Sequence, residues 1–112
     1  MSHFMIISII KIFPPPGRGD AVMDVLASLK GPVSALPDCL GCSVSVEVGE
    51  GGAICYVERW SSREALDRHL NTPFYTRLLE VMECSSRSPE VEFIDVADVV
   101  GLELVEQVRK PT

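Results

Sequence analysis

The sequence predicts an α+β domain in which an antiparallel sheet carries both of its helical regions on one face, and three observations predict it. Apolar runs rich in β-branched residues alternate with stripes at helical spacing in the order βαββαβ. The Gly49-Glu50-Gly51-Gly52 turn joins the second and third runs as a hairpin. At 112 residues, without an internal repeat or an interdomain linker, the chain has the length of one domain, 1–112. This order is the split βαβ arrangement of ferredoxin-like folds.

Each element follows from local chemistry. Residues 4–13 are β-branched and aromatic and stop at Pro14-Pro15-Pro16-Gly17, a strand ending. Asp20 is expected as the N-cap of a helix whose stripe is Val22, Val25, Leu26, Leu29, Val33 and Leu36, with a kink or restart at Gly31-Pro32. A second strand runs from about Cys39 to Val48, and a third from Ala53 to Trp60. Ser61 with Glu64 reads as a capping box opening the next helix. Thr72-Pro73 restarts that helix in a new direction as an N-cap and N1 pair. Residues 91–108 read as one long strand or two consecutive ones, bent at Gly101, so that a core of about 4–97 carries a strand extension of about 98–109.

Composition narrows the function. The aromatic share of 6% against a hydrophobic share of 46% requires an aliphatic core. A formal net charge of −6 without a Lys/Arg cluster argues against nucleic acid and anionic membranes as partners. No apolar run reaches the roughly 18 residues of a membrane span. The initial apolar run lacks the basic flank of a secretory signal, so the expected location is cytoplasmic, with free thiols.

The first strand predicts a partner. One face carries Phe4, Ile6, Ile10 and Ile12, and the other Met5, Ile7, Ile9 and Phe13. Helices on one side cover only one of these faces, and the simplest cover for the other is a second copy of the same sheet. The extension at about 99–108 is expected to reach across to that copy.

The most distinctive stretch runs from Tyr56 to Leu70, YVERWSSREALDRHL. Its Glu-x-Trp strand end, its Ser-led helix with Ala-Leu and its His nine residues after the Trp resemble the central motif of the antibiotic biosynthesis monooxygenase family. Upstream, Pro37-Asp38-Cys39-Leu40-Gly41 is similar to the Pro-Gly-Cys stretch that leads into that family's second strand. The resemblance covers roughly residues 4–97 and implies a dimeric α/β barrel. It also implies a monooxygenase that needs no metal or flavin cofactor and acts with dioxygen on a small aromatic phenol or quinol.

Periodicity independently groups the candidate site. Tyr56, Glu58 and Trp60 share one face of their strand, and His69 lies on the apolar face of the following helix. Oxygen insertion without a cofactor needs a base that makes an electron-rich substrate anion, and imidazole is a natural base. The expected catalytic pair is therefore His69 with Glu58 as its orienter. Trp60, Tyr56, Tyr75 and Arg77 are candidate substrate contacts. A histidine on an apolar helix face is also a common core residue, and each of these side chains has that plainer reading. Cys39-Leu-Gly-Cys42 enters a valine-rich strand rather than opening a helix, unlike a redox pair, and supplies too few ligands for zinc. No nicotinamide or flavin fingerprint is present. Two other functions stay open: a non-catalytic dimeric ligand-binding or stress-response domain, and haem degradation. The second is disfavoured because the first strand offers Ser8 and no Asn.

Overall fold

The computed structural model describes residues 5–49 and 51–110, so Phe4 and Glu50 lie outside the described residues. Strand β1 (Met5–Ile12) is followed by α1 (Gly19–Ser34), β2 (Cys39–Val46), β3 (Ile54–Trp60), α2 (Arg63–Leu70), α3 (Pro73–Glu83), β4 (Glu90–Val96) and α4 (Leu102–Val108). The strands form one antiparallel sheet in the order β2-β3-β1-β4. This is the ferredoxin-like α+β fold that the sequence predicts.

Helices α1, α2 and α3 cover one face of the sheet. Ile6, Ile10 and Ile12 of β1 point into that layer and meet Leu26 and Val33 of α1, Ile54, Tyr56 and Trp60 of β3, and Leu78 of α3. Met5, Ile7 and Ile9 point the other way and are only half-buried. They sit beside Ile94 and Val96 of β4 and Val57 of β3. Phe13, assigned to that outer face by alternation, is instead buried, with the Arg87 guanidinium 3.8 Å above its ring. The strand has ended by then, so its period no longer applies.

Several local expectations are corrected. The N-cap position of α1 is Arg18, without a side-chain capping bond, and Asp20 lies in the first turn. A turn at Gly17 (φ 78°), closed by Arg18 N–H donating to Pro15 O at 3.0 Å, starts the helix early. Helix α1 also runs through Pro32 without a restart, because Pro32 falls in the last turn, where few intrahelical bonds remain to be lost. The cap of α2 is Ser62, not Ser61, and its hydroxyl accepts from Ala65 N–H at 3.1 Å. Ser61 is held to the sheet, its N–H donating to Asp38 O at 2.9 Å. Strand β2 stops at Val46, two residues early. Thr72 caps α3 with Pro73 at its first position, as expected.

The largest correction is at the C-terminus. The expected strand extension is a helix, α4, and every residue of it is exposed. Leu102 and Leu104 suggest a period of two, but Val105 and Val108 continue a helical stripe. Gly101 N–H donates to Glu103 Oε1 at 3.0 Å, which satisfies one donor at the helix start.

Candidate active site

Register builds the site. Glu58 of β3 lies directly opposite Ser8 of β1 on one side and Cys42 of β2 on the other, and Ser8 lies opposite Phe93 of β4. Directly paired residues share a sheet face, so Cys42, Glu58, Ser8 and Phe93 form one row across the helix-covered side. The row is buried at Glu58 and Ser8 and opens to solvent at Phe93, on the edge strand.

Glu58 is fully buried and accepts from three neighbours. Tyr56 O–H donates to Oε2 at 2.8 Å, and Trp60 Nε1–H donates to Oε1 at 3.0 Å. His69 Nε2 lies 2.8 Å from Oε2. Ser62 opens α2 immediately after the strand, which places His69 two turns along and back over residues 58 and 60. The imidazole stacks on Trp60 with ring centres 4.7 Å apart, and Tyr75 of α3 meets it edge-on at 5.6 Å.

In a neutral ring these contacts favour one position for the histidine's hydrogen. With Glu58 as a carboxylate, Nε2 carries the hydrogen and donates, leaving the Nδ1 lone pair free. Thr72 Oγ1 is 3.4 Å from Nδ1, but its single hydrogen goes to His69 O at 2.7 Å. In that tautomer Nδ1 is the basic atom. It sits on the side of a crevice of about 60 Å³ lined by Leu36, Pro37, Trp60, Ala65, Arg68, His69 and Thr72. That space admits water or dioxygen but not an aromatic ring.

Burial sets the acidities nearby. It raises the Tyr56 hydroxyl far above the ordinary phenol value, and the Glu58 charge raises it further, so Tyr56 is a fixed hydrogen donor. Burial likewise pushes the Cys42 thiol up to about 11, a value Glu58 helps to raise, and Cys42 is no thiolate nucleophile at neutral pH.

The expected residues Tyr56, Glu58, Trp60, His69 and Tyr75 therefore meet in one cluster. Arg77 does not join it: it is exposed and pairs with Glu80 at 3.9 Å. Sequence reasoning missed two participants. Ser8 is buried, and its hydroxyl is the single buried side-chain polar atom, among the described residues, without a hydrogen-bond partner. Its signal was a polar residue on the inward face of an otherwise apolar strand. The other is Thr72, noticed for its cap alone. Among the described residues no three His, Cys, Asp or Glu side chains gather as metal ligands, and no helix is long and apolar enough to cross a membrane.

A larger cleft of about 240 Å³ lies between α2 and the β4 edge, lined by Ile6, Arg63, Leu66, Leu70, Phe93 and Asp95. It adjoins the exposed end of the Glu58–Ser8–Phe93 row. A groove of about 580 Å³ lies at the opposite end of the strands and contains none of the cluster residues.

Fold and site together define a small α+β domain with a buried acid–imidazole pair under its helices. The family model for antibiotic biosynthesis monooxygenase matches residues 5–81, and the chain belongs to that family. The structure of Rv0793 from Mycobacterium tuberculosis is similar at 26% identity, with a TM-score of 0.76 over 87% of this chain and 99% of that one. A solved antibiotic biosynthesis monooxygenase is also 26% identical, with a TM-score of 0.72 over 83% of this chain and 99% of its own. A conserved protein from Methanosarcina mazei Go1 shares the fold at 19% identity and a TM-score of 0.74, over 82% of this chain and 92% of that one. No curated protein matches the chain.

Proposed function

We propose that the protein is a homodimeric monooxygenase that oxidises a small phenol or quinol with dioxygen, His69 being the base and Glu58 its orienter. The observation that carries this is the buried Glu58–His69 contact of 2.8 Å, which engages Nε2 and leaves Nδ1 as the ring nitrogen not held by the carboxylate. A buried carboxylate held by an imidazole adds little net stability compared with apolar side chains of the same volume, so fold stability alone is a weak reason for the pair.

The substrate sits in the cleft of about 240 Å³ between α2 and β4. That is below the roughly 300–1,000 Å³ of pockets for drug-sized ligands, which suits a compound of one or two rings. Leu66, Leu70 and Phe93 hold the ring beside the exposed end of the row that leads inward to Ser8. Displacement of α2, whose two sides line this cleft and the Thr72 crevice, joins the two spaces and brings the phenol to Nδ1, which takes its proton. The resulting phenolate passes one electron to dioxygen, and the two radicals combine at the ring carbon para to the oxygen. Loss of water from the peroxide then leaves a quinone. One oxygen atom enters the product, the other leaves as water, and the C–H carbon becomes C=O. The dry, Trp60-walled surroundings protect the radical pair from water.

One observation favours a second reading, a dimeric ligand-binding domain without catalysis. His69 is 2% exposed, and the crevice beside it is too small for a substrate without movement. Haem fits poorly, because His69 Nε2 is committed to Glu58 and neither adjoining space would hold a porphyrin.

Incubation of the protein with a naphthol and ¹⁸O₂ separates the readings. One labelled oxygen in the quinone, with protein-dependent oxygen uptake, supports the monooxygenase. Saturable binding without uptake supports the binder.

A further inference from the structure

We infer that the groove between α1 and the end of α3 is the seat of helix α4 from a second copy of this chain. The inference rests on the dimer proposed above, and it assigns two surfaces that the site does not use.

The first surface is α4 itself. Leu104, Val105 and Val108, bordered by Leu102, share one side of the helix, while Glu103, Glu106 and Gln107 occupy the other. The apolar side is uncovered: Leu102 is 69% exposed and Val108 76%. A helix of this length does not persist alone in water, where isolated helices shorter than about 12–15 residues are marginal. Its stability has to come from packing, and its own chain leaves every residue of it exposed.

The second surface is the groove of about 580 Å³, lined by Ala21, Val22 and Val25 of α1 with Val81 and Cys84 at the end of α3. Arg18 is the one charged side chain lining it, and it complements the acidic flank of α4 at Glu103 and Glu106.

The match is not made within one chain, where every residue of α4 is exposed, and the fold favours it between two. The groove lies where β4 begins: Cys84 precedes Ser85 and Ser86, both hydrogen-bonded to Phe13 just past the end of β1. Helix α4 leaves from the far end of β4, where Val96 pairs with Met5. Five residues, 97–101, span at most about 18 Å. A strand of seven residues is itself about 23 Å long, so the linker alone does not bring the start of α4 back to its own groove. A two-fold axis lying across the strands packs the two outer sheet faces together and reverses the strand direction. The end of one β4 then lies over the start of the other. Sheets stack about 10 Å apart and the partner's helix layer lies about 10 Å beyond its sheet, a distance that the linker and the first turn of α4 span together around the β4 edge.

Cys84 makes the contact testable, because it is exposed, carries a free thiol and lines the groove. The Val105→Cys protein is oxidised mildly with oxidised glutathione, and its disulfides are mapped by mass spectrometry. The expected result is a covalent dimer in which position 105 is bonded to the partner's Cys84, abolished by adding Cys84→Ser. The Glu103→Cys protein, altered on the polar side of the helix, gives several-fold less of it. Deleting residues 99–112 raises the dimer dissociation constant at least tenfold in sedimentation. A dimer without the 105–84 bond overturns the seat while leaving the dimer standing. The same bond formed within one chain overturns the exchange. A protein sedimenting as a monomer overturns both.

Discussion

His69 Nε2 lies 2.8 Å from Glu58 Oε2, and both side chains are almost completely removed from solvent. The carboxylate is further fixed by Tyr56 and Trp60, which leaves it one orientation. An imidazole held this way presents its other nitrogen, Nδ1, to the crevice at Thr72. Thr72→Val should preserve the stack on Trp60 while altering the polarity around Nδ1. The expected effect is a change in the pH profile of turnover with substrate affinity little altered; a profile identical to the wild type would show that this side of the ring is idle.

The outer sheet face predicts the assembly. Met5, Ile7 and Ile9 lie beside Ile94 and Val96 on the face away from α1, α2 and α3. Full burial of each such side chain is worth roughly 1.5–3 kcal/mol. The protein should therefore sediment as a dimer at low micromolar concentration, and Ile7→Arg should dissociate it. A well-folded wild-type monomer under those conditions would rule this interface out.

Helix α2 tests the corrected cap. Ser62→Ala removes the acceptor for Ala65 N–H and should cost about 1 kcal/mol. Ser61→Ala, where the sequence placed the capping box, should cost a few tenths at most, since only its backbone is engaged. Urea denaturation of the two variants decides between the serines, and equal losses would contradict the assignment.

Alkaline stability should follow Cys42 and Tyr56. The folded state holds the Cys42 proton up to about pH 11, against an ordinary thiol value of 9.0, chiefly because the group is buried. Its contribution is complete below about pH 9 and is lost as pH rises through about 11. Tyr56 acts in the same direction. Urea midpoints should fall across that window, and Cys42→Val should flatten the fall. Equal slopes in both proteins would show that Cys42 is not involved.

Much of this was legible in the sequence, for identifiable reasons. Strong period-two runs placed β1 and β3 within a residue or two, and Thr72-Pro73 marked the start of α3 because few other pairs cap a helix that way. The same period put Tyr56, Glu58 and Trp60 on one face, and the short connection to α2 carried His69 to them. The misses have physical causes too. Ser61 and Ser62 are equivalent in composition, and only the hydrogen bond from Ser61 to Asp38 decides between them. Residues 102–108 satisfy a strand and a helix pattern at once, a conflict that seven residues are too few to resolve. Arg77 had the right element but the wrong side of it. Ser8 matters through its register opposite Glu58, which depends on strand pairing that no local pattern specifies.

The central claim is that the Glu58–His69 pair performs proton transfer. Oxygen uptake by His69→Gln, on a naphthol that the wild type oxidises, tests it most directly. Gln retains a donor toward Glu58 but cannot act as the base. The account predicts a protein that stays folded and still binds substrate, with turnover lower by about 10²-fold or more. Turnover per folded molecule equal to that of the wild type would contradict it.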